Sequence, residues 1–401
     1  MKKLVFSLAL LATVFTGCTS DDDDTSSTPT PVVGGEISAE TLTANKTFIK
    51  GNYTIKGYAS IKAGVTITFD AGSVITANGA DGLDALVVEK GGKVFMNGTA
   101  AEPIVFTEGT KTGGSWGGIV IYGDAPIVSS ATGTTATSED GLNITYGGTN
   151  AADTSGSLKY VRVEYAGKKI ADGTKELNGF SFYAVGSGTT LENLVSYKGN
   201  DDGFEFYGGT VSAKNLISYG NADDSFDWQD GWRGEANTNW YAYQVGTANF
   251  GMEIEAKGVN NTFFPTVSNI TLKRAAGTVT EGGSSAAEYD AIQFKKQGNG
   301  TYSNVVISGY TTAGATAVRI QDAATNNDQV NSGKIKLLNV KINDGTSQSA
   351  GVAASAPGVT PIVVAVTPNF QEANYTLSST ATGATLTSGA WAVVDGVNLL
   401  Q

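Results

Sequence analysis

The feature that most constrains this chain is an asparagine followed by a short strand, recurring through its second half. It stands at Asn193 in ENLVSY, Asn215 in KNLISY, Asn239 in NWYAY, Asn269 in SNITL, Asn304 in SNVVI and Asn339 in LNVKI. The intervals are 22, 24, 30, 35 and 35 residues, and YVRVEY fits one step earlier with Tyr160 in the asparagine slot. Irregular periods of this size, with scarcely a helical pattern between them, point to stacked strands. Asparagine tolerates the left-handed backbone of a tight corner. Coils about 4.8 Å apart would let each amide donate to the next. Positions one and three after the asparagine, such as Ile270 and Leu272 or Val305 and Ile307, then face inward, while Thr271 and Lys341 face out. A propeller needs about 40–50 residues per blade at steadier spacing. The pattern predicts an all-β chain, a right-handed parallel β-helix with an asparagine ladder.

A second strand precedes each asparagine, in GFSFY, GFEFY, SFDWQ, GMEIE, AIQFK and AVRIQ. Alternation assigns Phe180/Phe182, Phe204/Phe206, Phe226/Trp228, Met252/Ile254, Ile292/Phe294 and Val318/Ile320 to the core. The residues between them form an outward file of Ser181, Glu205, Asp227, Glu253, Gln293 and Arg319, in steps of about 5 Å. Three consecutive carboxylates in such a file repel one another. Something must compensate.

The densest chemistry lies in residues 199–234. Asp201-Asp202 and Asp223-Asp224 recur at a separation of 22, as do Glu205 and Asp227, with Asp230 close by. Lys214 and Arg233 are the only bases in the stretch. Clustered carboxylate oxygens suit Ca²⁺. Asp202, Glu205, Asp224 and Asp227 are therefore the expected ligands of a hard divalent cation, with Asp201, Asp223 and Asp230 as further candidates. In the plainer account these acids cap turns through backbone N–H groups and pair with Lys214 and Arg233. Both accounts stay open for Asp201 and Asp223.

The same stretch bears on ligand binding and catalysis. Trp232 in its glycine-flanked loop and Tyr207, outward by parity, are the candidate aromatic faces for a sugar ring, with Arg233 and Glu253 as polar contacts; Trp240 reads as core. A glycoside hydrolase needs two carboxyls about 5–9.5 Å apart, which adjacent coils supply. A Ca²⁺-dependent polysaccharide lyase would need a base, for which Arg233, Lys295 or Arg319 could serve. Neither has a distinctive motif here. Histidine is absent, which removes His-based catalysis and His metal ligands. A net charge of −12 argues against nucleic-acid binding, which needs a basic face.

The amino terminus addresses location. Lys2 and Lys3 precede an apolar run, Leu4 to Phe15, too short to span a bilayer, which takes about 20 residues. Thr16 and Gly17 before Cys18 resemble a bacterial lipobox, with Phe15 in place of the usual aliphatic residue. Cys18 is the sole cysteine, so it has no disulfide partner. It is expected to be acylated, which would anchor residues 18–401 in outer-membrane lipid after removal of a signal peptide at 1–17. Ser20, Asp21, Asp22, Asp23 and Asp24 look like the acidic export tag of surface-exposed lipoproteins; as physics alone they make a solvated spacer. A Pro/Ser/Thr/Gly linker runs to residue 35, and one domain is expected over 36–401, its final segment SGAWAVVDGVNLLQ capping the open end.

Several segments, among them AGVTITFDAGSVI, ELNGFSFYAVGSGT, DDGFEFYGGTVSAKNL and DDSFDWQDGWRG, together resemble a β-helix lipoprotein family of Bacteroidota. The resemblance covers residues 55–235, with a looser tail to 345. It implies pectate-lyase-like architecture and a surface location, often beside a TonB-dependent outer-membrane receptor, and brings no catalytic residues. The expected role is a non-catalytic module capturing a glycan or other nutrient, with the two enzymes, or a structural or adhesive rod, as alternatives.

Overall fold

The computed structural model describes residues 30–32, 34–79, 83–128, 134–170, 175–261, 264–281, 288–344, 346 and 370–401. Cys18 and the acidic run Ser20 to Asp24 lie outside the described residues. Short strands stack in parallel into two long sheets that enclose one core. The architecture is a right-handed parallel β-helix.

One sheet has nine strands, in order Tyr58–Ile61, Ala85–Val88, Ile119–Tyr122, Phe180–Tyr183, Phe204–Tyr207, Phe226–Gln229, Met252–Ile254, Ile292–Phe294 and Val318–Ile320. The other wraps a corner. Early coils approach it with two strands joined by a turn, as in Lys93–Asn97 and Ile104–Glu108. Both of these pair with the single strand Gly156–Glu164, which bends at Tyr160. From there every coil turns on one left-handed residue: Tyr160, Asn193, Asn215, Asn239, Asn269, Asn304 and Asn339, with φ between 50° and 59°. Asn215 Nδ2 donates to Asn193 Oδ1 at 2.9 Å, Asn239 to Asn215 at 3.0 Å and Asn304 to Asn269 at 2.7 Å. Asn339 donates to Asn304 at 3.4 Å, and at the one step left, between Asn239 and Asn269, Asn269 donates to Thr238 Oγ1 instead.

Stacking repeats inside the core. Phe180 lies on Phe204 at 5.0 Å between ring centroids and 1° between planes, and Phe204 on Phe226 at 5.7 Å. All the predicted inward residues of the nine-stranded sheet are buried. Among the described residues, no helix is long and apolar enough to cross a membrane.

The carboxyl-terminal segment departs from its expected place. It does not cap the open end. Tyr375–Leu377 adds a last strand, and the chain then runs back across the coils as a strap. It touches Asn304 through Thr382, Thr271 through Ala384 and Asn239 through Thr385. Arg162 Nη1 donates to the carbonyls of Ala390 and Val393, and Lys111 pairs with Asp395 at 2.6 Å. The reason is apolar surface: Val195, Ile217 and Tyr241 point out of the second sheet and are buried in one cluster with Trp391, Ala392, Val394 and Leu399 of the strap. Trp391→Ala should therefore destabilise the protein by about 3–5 kcal/mol, read as a lower urea midpoint with unchanged far-UV dichroism. An unchanged midpoint would mean that the strap rides on the solenoid without supporting it.

Candidate metal centre

Parallel stacking places like positions of successive coils beside one another, and the corner leading into the nine-stranded sheet is rich in aspartate. Asp202 Oδ1 accepts from the Asp224 amide at 2.8 Å, and Asp224 Oδ1 accepts from the Phe250 amide at 2.6 Å. Two coils on, Asp290 Oδ1 accepts from the Thr316 amide at 2.6 Å. One oxygen of each is thus a turn cap, as the plainer account holds. The second oxygens of Asp202 and Asp224 are available for other work.

On the adjoining strands the pairing register runs Ser181, Glu205, Asp227, Glu253, Gln293, Arg319 in a single file. These side chains leave the sheet on its outer side, yet Glu205 is 6% and Asp227 9% exposed. Surrounding loops raise walls around them and form a cleft of about 760 Å³ lined by twelve acidic residues and four lysines. Glu205 is held at both oxygens: Asn178 Nδ2 donates to Oε2 at 2.6 Å, Gln229 Nε2 to Oε1 at 2.8 Å, and the Tyr207 hydroxyl to Oε2. Asp227 has no such support. Its Oδ1 is buried without a hydrogen-bond partner.

The carboxylates converge in overlapping triads. Oxygens of Asp202, Glu205 and Asp227 lie within 4.8 Å of one another, as do those of Asp224, Asp227 and Glu253, and those of Asp202, Asp223 and Asp224. Three of the four lysines are committed to acids outside the triads' centre. Lys295 pairs with Glu253 and Glu255, Lys296 with Glu255, and Lys257 with Glu139 and Asp230. Among the described residues, none of Asp201, Asp202, Glu205, Asp223, Asp224 and Asp227 forms an ion pair. Lys214 is exposed on the other sheet, stacked beside Glu192. Arg233 lies off the cleft, where burial lowers its pKa.

Electrostatics follow from this arrangement. Burial, with Glu139 next in weight, pushes Glu205 up to about 7. Burial, with Glu281 and Glu253 adding to it, pushes Asp223 up to about 8. Burial first and the Asp223 charge second raise Asp201, Asp202 and Asp224 well above the carboxylate range; for Asp227 the second cause is Glu205. A hard cation bound among these oxygens would remove the repulsion and join adjacent coils.

The other predicted residues fall elsewhere. Trp232, read as an exposed loop aromatic, is 1% exposed. Its Nε1 donates to the Val211 carbonyl at 3.0 Å and its ring stacks on Phe206 at 4.6 Å, so it fills the core and has no face for a sugar. Tyr207 lies beneath the cleft, stacked on Tyr183 at 3.8 Å, and serves to orient Glu205. Glu253 is in the cleft, tied to Lys295. Asp230 stands apart from the triads, accepting from the Tyr146 hydroxyl and facing Lys257 at 3.7 Å. Asn178 and Gln229 escaped notice from sequence, although Asn178 occupies the position of Asp202 one coil earlier and register alone could have found it. Glu139 comes from a loop outside any repeat, where no signal exists.

Residues 35–393 match the pectate-lyase like beta helix domain. The chain belongs to that family. No curated protein and no solved structure matches it. In this pectate-lyase-like β-helix the bases considered for lyase chemistry are otherwise engaged. Arg319 grips buried Asp290 with two nitrogens, one at 3.0 Å. Burial opposes the charge on Lys295, but Glu253, Asp227 and Glu255 outweigh it and hold the ammonium protonated.

The raised carboxyl pKa values fix the sign of a pH effect. Unfolded carboxyls titrate near 4, whereas Glu205 and Asp223 titrate at about 7 and about 8 in the fold. The metal-free fold thus holds more protons than the unfolded chain across that window. Its stability is full below pH 4 as far as these groups are concerned, and falls as pH rises towards 8. In EDTA the melting midpoint should drop from pH 4.5 to 8, and millimolar Ca²⁺ should abolish the drop. Ca²⁺ at about 100 times its Kd adds about 2.7 kcal/mol. Asp224→Asn with Asp227→Asn, which keeps the Oδ1 cap, should lose that increment. Identical curves with and without Ca²⁺ would leave these acids as caps and buried neutral carboxyls.

Proposed function

We propose that this protein is an outer-membrane lipoprotein, anchored through acylated Cys18 and facing the cell exterior. Its acidic cleft holds Ca²⁺ and captures a glycan or other nutrient for a TonB-dependent receptor without turning it over. The observation that carries the reading is the set of six cleft carboxylates, on two adjacent coils, with no basic partner among the described residues. An enclosed anionic cleft of this kind repels anions until a cation occupies it, so ligand capture should be Ca²⁺-dependent. Membership of a pectate-lyase-like family supports a carbohydrate as the ligand class. With Trp232 in the core, recognition would rest on cation and polar contacts, not on ring stacking.

A glycoside hydrolase is the second reading, favoured by one observation. Glu205, pushed up to about 7, has an oxygen within 4.8 Å of one from Asp227, so two carboxyl groups stand together as a hydrolase would need. Incubating the purified domain with neutral and acidic polysaccharides, with Ca²⁺ or EDTA, separates the readings. Retention of polymer only in Ca²⁺, with no new reducing ends or unsaturated products, is the expected result. Reducing ends that vanish in Glu205→Gln would establish the hydrolase.

Location has its own test. Cys18→Ala should release the protein from the membrane fraction. Alanine at Asp21, Asp22, Asp23 and Asp24 should protect it from protease shaving of intact cells; unchanged shaving would show that the acids are only a tether.

A further inference from the structure

We propose a second cation site in the same cleft, formed by Glu176, Asp201 and Asp223. Oxygens of these three residues lie within 4.8 Å of one another. Asp201 is 2% exposed, and its Oδ2 is buried without a hydrogen-bond partner although it lines the cleft. Nothing in the fold requires a carboxylate at that point. Asp224 and Asp202 cap the turns; Asp201, one residue earlier, caps nothing and pairs with no base among the described residues. Asp223 occupies the same position one coil later and is secured through Oδ1 alone, by the Asn249 amide.

The third ligand comes from outside the coils. Glu176 ends a small antiparallel hairpin made by Lys169–Ile170 and Lys175–Glu176, which projects beside the aspartate corner. Lys169 sits 2.9 Å from Glu176 and also pairs with Glu281. That single ammonium pairs with two glutamates and reaches Asp201 only at a distance, and neither Asp201 nor Asp223 forms an ion pair among the described residues. A hard divalent ion takes six to eight oxygens at about 2.3–2.6 Å, several of them from water, so three carboxylates suffice for one. Glu176 and Asp223 are partly exposed, which leaves room for that water. The ion would tie the hairpin to two coils at once, adding to the link that Lys169 makes to Glu281.

This site does not depend on the one at Asp202, Glu205, Asp224 and Asp227, and the two can fail separately. The probe is Ca²⁺ alone, titrated calorimetrically into the full mature chain and counted by elemental analysis after equilibrium dialysis. Wild type should bind two ions per chain, and Asp201→Asn, Glu176→Gln and Asp227→Asn one each. One ion in wild type, lost in Asp201→Asn and kept in Asp227→Asn, would uphold this site and remove the inner one. Stoichiometry unchanged by Asp201→Asn and Glu176→Gln would overturn the proposal. Melting in EDTA guards against a folding artefact: Asp201→Asn replaces a buried carboxyl that lacks a hydrogen-bond partner at Oδ2, so its metal-free midpoint should equal or exceed that of wild type. A lower midpoint would assign Asp201 to the fold and overturn the site.

Discussion

Stacking in register at about 4.8 Å governs this molecule. Whatever one coil places at a position, the next coil meets with its own equivalent, so each position must be self-compatible. At the left-handed corner the requirement is met by asparagine, whose backbone tolerates positive φ and whose amide both donates and accepts. Tyr160 is the exception that shows the cost. A bulky residue with φ of 50° is strained, and it is held there with its ring edge-on to Trp391 at 5.7 Å.

Two opposite consequences of this rule lie on the two faces of one strand. Inside, Phe180, Phe204 and Phe226 stack ring on ring, and repetition is favourable. Outside, Glu205, Asp227 and Glu253 stack carboxylate on carboxylate, and repetition is unfavourable. At the far end of the file Lys295 relieves Glu253. In the middle, the Lys295 charge reaches Asp227 without pairing with it, Glu205 and Asp227 form no ion pair among the described residues, and the charges are enclosed by loops instead of being left to water. The aspartate corner reconciles two duties, because a carboxylate has two oxygens. Asp202 and Asp224 give one to the next coil's amide and keep one for the cleft.

The other sheet solves a different exposure problem. Its outward residues Val195, Ile217 and Tyr241 are apolar, contrary to simple alternation of inside and outside. They are covered by a strap that runs from coil to coil across the strands, fixed by Arg162 and Lys111. One face of the solenoid is thereby closed, and the cleft occupies another.

Sequence by itself determined the coil. The asparagine interval, the parity of Phe204 and Phe206 and the file of Ser181, Glu205, Asp227 and Glu253 were all legible, because a strand's side-chain period is two and a solenoid repeats its neighbours. The carboxylates could be named for the same reason. Only the tertiary structure decided whether they were surface or cleft, since Glu139 reaches them from a loop and Glu176 from a hairpin, and neither belongs to the repeat. Tertiary structure also placed Trp232 in the core, because a glycine-flanked loop leaves the direction of its side chain open. It laid the final segment along the coils as a strap, because the apolar file it covers is assembled from residues some twenty apart in the chain and exists as a surface only once the coils have stacked.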